Sequence, residues 1–513
     1  MKKQILISFI TVLSTVFSYS ALSQAPAIEW QKSLGGRNED DALAICQTFD
    51  GGYIVAGRSK STSGDVTGNI GAFDAWIVKM SSSGSLEWQK SIGGSLTDQA
   101  NAIVQTADSG YIIAGSTISN DGAVTGNHGQ TDYWVVKLSS AGTVQWQKCY
   151  GGASYEIAYS IQQTTDGGYV VGGESWSNDG DVTGNHGGRD CWIVKIDTSG
   201  ALQWQKSLGG SANDFGKKIR QTADGGYIAT VTSSSSDGDV TNNYGSSDFW
   251  VVKLSNLGII QWEKSFGGTL VDNGQDIIQT SDEGYVVIGL TTSNDGDVTD
   301  SKGKGDYWVV RISSLGAVVW QKTLGGSELD YATSVVQSTD GGFVVAGYSV
   351  SNNGDLTENK GSSDYWLVKL NASGYIVWQK SLGGSEYDVA NYFTTTSDGG
   401  YIIAGYTRSL NGDVTLNHGS DDFWIVKLKS TVAVPQLSHS GEINVSPNPT
   451  TGMINVPGAE NATIRVYNTF GQLVKEAQNN NEISLADLPV AMYFIKVFNE
   501  RGEMIHSGNV VKQ

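Results

Sequence analysis

Short runs in which apolar and polar residues alternate, separated by turns rich in Gly, Asp and Ser, recur along most of the chain. Alternation with a period of two is typical of half-buried β-strands. One representative unit is predicted to contain four strands, named a (159–164), b (169–175), c (191–197) and d (201–208). Asp-Gly-Gly at 166–168 and Ser-Gly at 199–200 are typical hairpin turns. A long polar loop, 178–190, connects strands b and c.

The unit is repeated seven times at intervals of 58 residues, without insertions, and two tryptophans mark each repeat. The first opens a version of Trp-Gln-Lys-Ser-Leu-Gly-Gly and is Trp30, Trp88, Trp146, Trp204, Trp262, Trp320 or Trp378. The second lies on predicted strand c and is Trp76, Trp134, Trp192, Trp250, Trp308, Trp366 or Trp424. An aromatic side chain that every repeat carries is expected to fill the core between repeats rather than to bind a carbohydrate.

Seven repeats of four antiparallel strands predict an all-β fold, a seven-bladed β-propeller over residues 24–430. The two ends of this region complement each other. A lone strand d, residues 28–34, precedes the first complete repeat, and the seventh repeat ends near Lys429 without a strand d. We therefore expect the N-terminal strand to complete the last blade and close the ring. An open solenoid is the alternative, and it would require terminal units with polar outer faces.

The N-terminus has the features of a secretory signal peptide, assigned to residues 1–23. Lys2 and Lys3 precede an apolar run, and small residues stand before Gln24. The run is short for a transmembrane helix, and no other stretch is suitable for crossing a bilayer. The net charge of −19 argues against nucleic acid as a partner, because phosphate binding requires Lys and Arg. The sequence thus predicts an exported protein.

The repeat pattern stops after Lys429, and residues 431–440 form a predicted linker. Residues 441–513 contain strand and turn signals of a different kind. Their ordered motifs are Val445-Ser446-Pro447-Asn448-Pro449-Thr450-Thr451-Gly452, Val466-Tyr467-Asn468-Thr469-Phe470-Gly471-Gln472-Leu473-Val474 and Met492-Tyr493-Phe494-Ile495-Lys496-Val497. This set resembles the type A sorting domain of the type IX secretion system, although that family usually has Gly where Val490-Ala491-Met492 stands here.

The resemblance implies a small β-sandwich that the type IX translocon recognises at the outer membrane, after signal-peptide export to the periplasm. It also implies that the cargo is either secreted or attached to the outer cell surface. The translocon and sorting machinery are therefore expected partners. The propeller repeats are similar to those of other type IX cargo, which sometimes carries an endoglucanase-like label, and a shared fold is weak evidence of chemistry.

Variation between the repeats is concentrated in the d–a and b–c segments, which share one face of a propeller. Binding sites occupy loops held by a rigid scaffold, so we expect the function on this d–a/b–c face. The position at the end of strand b, and the position two residues beyond it, vary between the blades. The candidate ligand-binding residues at these positions are Arg58, Glu174, Trp176, Tyr348, Tyr406 and Arg408. The aromatic ones could form a stacking platform for sugar or peptide, and neutral variation at exposed positions is the alternative.

These features favour a non-catalytic binding or adhesion protein whose ligand is a glycan or another surface protein. A polysaccharide-active, endoglucanase-like glycoside hydrolase is the second hypothesis, because Glu174 could act with Asp179 or Glu156 as the carboxyl pair that glycoside hydrolysis requires. The strict period leaves no insertion from which to build the walls of a catalytic pocket, which favours binding. A structural surface protein is the third hypothesis.

The b–c loop of one repeat also suggests a metal site. Asp179, Asp181, Thr183 and Asn185 place oxygen-bearing side chains at alternate positions, and Asp190 stands twelfth. This is the spacing of a calcium-binding loop, although Thr and the final Asp depart from the usual ligands. Calcium is the one cofactor that the sequence suggests. The competing interpretation is a loop closed by hydrogen bonds between side chains and backbone.

Overall fold

The computed structural model describes residues 24–430, 445–456, 462–468, 473–478, 480–499 and 504–513. The predicted signal peptide (1–23) and linker (431–440) lie outside the described residues. The chain divides into two compact units after Thr431. Regular secondary structure in the described residues is entirely β, and no helix among them could span a membrane.

The first unit consists of seven four-stranded antiparallel sheets. Strand β1 is Ile28–Leu34. Blade 1 contains β2 (Asp40–Gln47), β3 (Tyr53–Ser59), β4 (Asp74–Met80) and β5 (Leu86–Ile92); blade 2 contains β6 (Asp98–Gln105), β7 (Tyr111–Thr117), β8 (Asp132–Leu138) and β9 (Val144–Tyr150). Blade 3 contains β10 (Glu156–Gln163), β11 (Tyr169–Ser175), β12 (Asp190–Ile196) and β13 (Leu202–Leu208); blade 4 contains β14 (Asp214–Gln221), β15 (Tyr227–Ser233), β16 (Asp248–Leu254) and β17 (Ile260–Phe266). Blade 5 contains β18 (Asp272–Gln279), β19 (Tyr285–Thr291), β20 (Asp306–Ile312) and β21 (Val318–Leu324); blade 6 contains β22 (Asp330–Gln337), β23 (Phe343–Ser349), β24 (Asp364–Leu370) and β25 (Ile376–Leu382). Blade 7 contains β26 (Asp388–Thr395), β27 (Tyr401–Thr407), β28 (Asp422–Leu428) and β1.

The N-terminal strand completes the last blade, as the sequence predicts. Strand β1 pairs antiparallel with β28, from Ile28 opposite Leu428 to Leu34 opposite Phe423. Leu34 packs in one apolar cluster with residues of blades 1 and 7. The Asn391 side chain also donates to the carbonyl of Ala42 at 2.8 Å, from blade 7 to blade 1. The ring is therefore closed, and the propeller prediction is confirmed.

Both sets of repeated tryptophans pack between blades. Those of strand c are fully buried, and each indole N–H donates to a Gln or Glu on strand d, as Trp76 does to Gln89 at 2.8 Å. The Trp76 ring lies 4.5 Å from that of Phe423 in the neighbouring blade. Trp30, of the first set, lies edge-on to Tyr53 at 5.6 Å. These contacts account for the recurrence of tryptophan without invoking a ligand.

Strand a begins three residues earlier than predicted, at Glu156 rather than at 159. The reason is a β-bulge, because the pairing register shifts between Ala158 and Ser160. The bulge residue, Tyr159, interrupts the alternation on which the prediction depended. The same shift recurs in strand a of every blade, and a bulge changes the direction in which a side chain points.

The second unit is a small β-sandwich. Its strands are β29 (Met453–Asn455), β30 (Thr463–Tyr467), β31 (Leu473–Gln478), β32 (Glu482–Ser484), β33 (Met492–Phe498) and β34 (Met504–Val511). Strands β29 and β32 form one sheet, and β31, β30, β33 and β34 form the other in that order. Apolar residues of both sheets, including Ile454 and Ile495, form one buried cluster.

Candidate functional site

A central cavity of about 590 Å³ lies along the axis of the propeller. The bulge residue of strand a lines it in all seven blades, and these residues are Leu43, Asn101, Tyr159, Lys217, Gln275, Thr333 and Asn391. Because all the blades share one backbone pattern at this position, the side chains alone give the cavity its chemistry. Two of the predicted ligand-binding residues, Tyr348 and Tyr406, also line the cavity. They stand at the ends of their b strands, so the cavity reaches the d–a/b–c face.

The wall formed by blades 5 to 7 is rich in aromatic and amide groups. Tyr331 and Tyr348 stack with their ring centroids 5.7 Å apart and their planes 13° from parallel. The Gln275 side chain donates to the Tyr331 hydroxyl at 2.5 Å. Tyr406 continues this wall on blade 7. All three tyrosines are half-buried, so each keeps surface for a ligand.

Blade 4, next to this wall, carries a lysine without an ion-pair partner. The Lys217 ammonium lies 4.2 Å from the centre of the Tyr159 ring. No carboxylate oxygen of the described residues lies within 4.0 Å of it. Burial lowers the pKa of Lys217, and the nearby Glu174 carboxylate opposes that shift. Blade 4 thus places a partly desolvated cation in the cavity wall, where the other six blades have uncharged side chains at the same position.

A second charged group of side chains lies deeper in the cavity. Lys218 of blade 4 extends towards blade 7, where its ammonium lies 4.6 Å from the centre of the Tyr392 ring. Arg220 donates to both oxygens of Asp276, at 3.1 and 3.4 Å, and to the carbonyl of Ile277 at 2.7 Å. Asp276 also accepts a hydrogen bond at 3.1 Å from the backbone N–H of Val335 in blade 6. This carboxylate therefore links blades 4, 5 and 6, and Arg220 neutralises it.

Glu174 and Trp176, both predicted binding residues, belong to a network in blade 3 beside the cavity. Glu174 is only 4% exposed, and its Oε1 accepts a hydrogen bond from Arg189 at 3.2 Å. Its Oε2 has no partner among the described residues. Burial raises the pKa of Glu174, while Lys217 and Arg189 counteract the rise. The Arg189 guanidinium covers the Trp176 ring at 4.0 Å, so one face of this indole is already occupied.

Arg58 and Arg408 are each held by a neighbouring carboxylate. Arg58 pairs with Asp41 at 2.8 Å, and Arg408 donates to Asp421 at 3.0 Å. Neither arginine lines the cavity. Of the six predicted ligand-binding residues, the structure therefore brings only Tyr348 and Tyr406 together in its wall.

The predicted calcium-loop residues of blade 3 all make hydrogen bonds. Asp179 accepts from the N–H of Ala153 at 2.8 Å, Asp181 from Gly151 at 3.3 Å and Asn185 from Gly187 at 2.9 Å. Thr183 accepts from Gln205, and Asp190 from His186 at 2.9 Å. No group of three or more His, Cys, Asp or Glu residues in the described ranges is arranged for metal binding. These contacts are those of the hydrogen-bonded alternative, and calcium binding stays a prediction.

Carboxyl groups also meet at the junctions between blades. At one junction the carboxyl groups of Asp248 and Asp272 lie on either side of Gly267. A Cβ atom placed on this glycine would be 2.3 Å from Asp248 Oδ1 and 2.8 Å from Asp272 Oδ2, so only glycine fits between them. Both aspartates are fully buried. Within the described residues Asp248 Oδ1 has no hydrogen-bond partner, whereas Asp248 Oδ2 accepts from the N–H of Tyr244 at 2.6 Å. Burial raises the pKa of Asp248 to about 6, and the Asp272 carboxylate adds to the rise.

The residues of strand a that line the cavity were not predicted from the sequence. Variation inside a strand normally reflects packing, whereas variation in loops and at the ends of strand b indicates a binding surface. A signal was present nonetheless. At the position after the bulge, five blades have Ala, Ser or Tyr, whereas blade 4 has Lys218 and blade 5 has Asp276. Charges in the innermost strand of a propeller are worth testing as contacts of the central cavity.

Comparison with protein-family models matches residues 444–511 to the secretion system C-terminal sorting domain. No curated protein matches the chain. Among solved structures, a fungal alcohol oxidase of the AA5 family in complex with copper is 10% identical, with a TM-score of 0.48, over 96% of this chain and 100% of its own. PorZ, an essential bacterial surface component of the type IX secretion system of Porphyromonas gingivalis, is 11% identical, with a TM-score of 0.30, over 90% of this chain and 69% of its own. Both TM-scores are below 0.5, so neither likeness carries an argument about this chain.

The family match covers the segment whose motifs resemble the type A sorting domain. The structure gives that segment the small β-sandwich that the resemblance implies. The C-terminal unit therefore belongs to the family of secretion system C-terminal sorting domains, and the chain is cargo that the type IX secretion system delivers to the cell surface or into the medium.

Proposed function

We propose that the exported propeller is a non-catalytic binding protein whose ligand enters the central cavity from the d–a/b–c face. The observation that carries this proposal is the set of seven bulge residues. One repeated backbone feature directs seven largely different side chains to one place, and a rigid frame with variable contacts is the arrangement of a binding site. Tyr348 and Tyr406 add stacking surfaces at the mouth. Sugar rings and peptides are ligands that such surfaces accept.

The same geometry favours binding over hydrolysis. Asp276 is the one carboxyl among the cavity-lining residues of the described chain, and Arg220 already binds it. Glu156, which could have partnered Glu174, accepts from the Gly152 N–H and from the Ser175 hydroxyl at 2.8 Å each. A hydrolase requires one carboxyl to donate a proton and a second to act on the sugar. The raised pKa of Glu174 suits the first of these roles, and the described cavity lining offers no unpaired carboxyl for the second.

The test is a glycan and polysaccharide array probed with the purified propeller, with released reducing ends measured in the same wells. We expect retention without release. Tyr348→Ala and Tyr406→Ala should weaken retention, because both rings line the cavity. Tyr375→Ala is the matched control, since this tyrosine is 71% exposed and stands in a c–d turn, on the opposite face. Release of sugar that disappears in Glu174→Gln would establish the hydrolase instead. Trp176→Ala reports whether the blade 3 network takes part.

A further inference from the structure

We propose that the ligand of the central cavity is an acidic saccharide, whose carboxylate or sulfate group is bound by Lys217 and Lys218. The inference rests on the proposed function, because it takes the cavity as the binding site. It adds the chemical class of the ligand and the residues that select it.

The first observation is the charge of the cavity wall. Its lining contains three basic side chains, those of Lys217, Lys218 and Arg220, and one acidic side chain, that of Asp276. Arg220 and Asp276 bind each other, and Arg189 binds Glu174 beside the cavity, so the two lysines supply the net positive charge. The whole chain has a net charge of −19. A positive cavity in an acidic protein is a local feature of the site, and it attracts anions against the overall charge.

The second observation is that neither lysine has an anionic partner. Lys217 contacts the ring of Tyr159 and Lys218 that of Tyr392, and no carboxylate oxygen in residues 24–430 lies within 4.0 Å of either ammonium. Elsewhere in the propeller, buried lysines are paired. Lys195, for example, binds Asp166 at 2.9 Å. Glu174, which Arg189 already binds, acts on Lys217 only from beyond hydrogen-bond distance. A cation withdrawn from water is unfavourable without a direct partner, and an anionic ligand would supply that partner.

The third observation is the position of the charges relative to the aromatic wall. The cavity is lined by Lys217 and Lys218 on blade 4 and by Tyr331, Tyr348 and Tyr406 on blades 6 and 7. A sugar ring against the tyrosines would therefore direct a carboxylate or sulfate towards blade 4. Stacking binds the apolar face of the ring, and the ammonium groups form charge-assisted hydrogen bonds with the anion. A neutral saccharide would gain only the first of these contributions.

The experiment uses a panel of uronate-bearing and sulfated oligosaccharides, each paired with its carboxyl-reduced or desulfated counterpart, and acidic peptides of similar charge. We expect retention of acidic saccharides and not of their neutral counterparts. Lys217→Met and Lys218→Met should each weaken the affinity about 10- to 100-fold, the effect of losing one charge-assisted hydrogen bond. Lys217→Arg should retain most of the affinity. The affinity of the wild type should also fall as salt is added.

Lys304→Met is the matched control. It removes the same charge from the d–a/b–c face, where the Lys304 side chain is 72% exposed and pairs with Glu328. Its affinity should remain at the wild-type value. Lys217→Met should fold normally, because it replaces a partly desolvated charge with an apolar side chain of similar length. A melting temperature equal to that of the wild type would verify this.

Three results would overturn the inference. Retention of neutral saccharides that is lost in Tyr348→Ala but unchanged in Lys217→Met would leave the binding function intact and refute the acidic class. Retention of acidic peptides without acidic saccharides would refute the saccharide. An absence of retention across the whole panel, neutral members included, would remove the proposed saccharide-binding function together with the inference.

Discussion

Removal of the N-terminal strand should abolish the stability of the propeller. Deleting residues 27–36 takes away β1 and leaves β28 as an unpaired edge of blade 7. Six residues of β1 pair with β28, and a net contribution of roughly 0.5–1.5 kcal/mol per ladder hydrogen bond gives about 3–9 kcal/mol. Leu34, which is 8% exposed, adds roughly 1.5–3 kcal/mol of burial. The sum approaches the roughly 5–15 kcal/mol that holds a whole domain folded.

The assay combines thermal unfolding with the molar mass in solution. The truncated chain should melt far below the wild type or form oligomers, because an open blade edge pairs with other chains. Two controls separate ring closure from general damage. A synthetic peptide of residues 27–36 should restore the melting temperature, whereas a scrambled peptide should not. Fusing the segment after residue 430, through the Ser-Ser-Gly turn sequence at 82–84, should restore it as well. A truncated chain that stays monomeric with an unchanged melting temperature would refute ring closure by β1.

The remaining predictions concern the charged groups and the sorting domain. Asp276→Ala should lower the free energy of unfolding in urea by about 2–3 kcal/mol, because it leaves the half-buried Arg220 guanidinium without its counter-ion. The double variant Arg220→Met/Asp276→Leu should recover most of this loss, and a double variant at least as unstable as Asp276→Ala would contradict this. The pKa of Asp248 is raised from 3.8 to about 6 in the folded protein. The stability that this protonated carboxyl provides is therefore fully present below about pH 4 and is lost as the pH rises through 6. The free energy of unfolding of Asp248→Asn relative to the wild type should therefore grow by about 2 kcal/mol between pH 4 and pH 7, and a constant difference would contradict the buried pair. Removal of residues 441–513 should leave the propeller in the periplasm, and normal surface delivery of that chain would contradict its role as a sorting domain. If the b–c loops bind calcium, the melting temperature should rise with calcium concentration, and indifference to both calcium and chelator would leave the hydrogen-bonded loop as the explanation.

The repeat made the fold predictable to the level of single strands. The lone segment at 28–34 matches β1 residue for residue, because six further copies of the same motif define its limits. The pairing of β1 with β28 was predictable because the seventh repeat lacks its own strand d. The start of strand a was misplaced because the bulge at Tyr159 breaks the period of two.

The candidate site was predictable only in part. Tyr348 and Tyr406 were found because they vary at loop-facing ends of strands. Lys217 and Lys218 were not, because a period of two assigns neighbouring residues to opposite faces of a strand, and only the bulge brings both into the cavity. The spacing of the oxygen-bearing side chains in the b–c loop does not determine whether these oxygens bind calcium or accept hydrogen bonds from the backbone. Asp181, for example, accepts from the Gly151 N–H of a separate loop.

Calorimetric titration with the saccharide that the array retains best is the most direct test of the central claim, ligand binding in the central cavity. The comparison requires three proteins: the wild type, the double variant Tyr348→Ala/Tyr406→Ala and the control Tyr375→Ala. Binding in the cavity predicts that the double variant loses at least tenfold in affinity while the control matches the wild type. Equal affinity for all three proteins would place the ligand elsewhere and contradict the account.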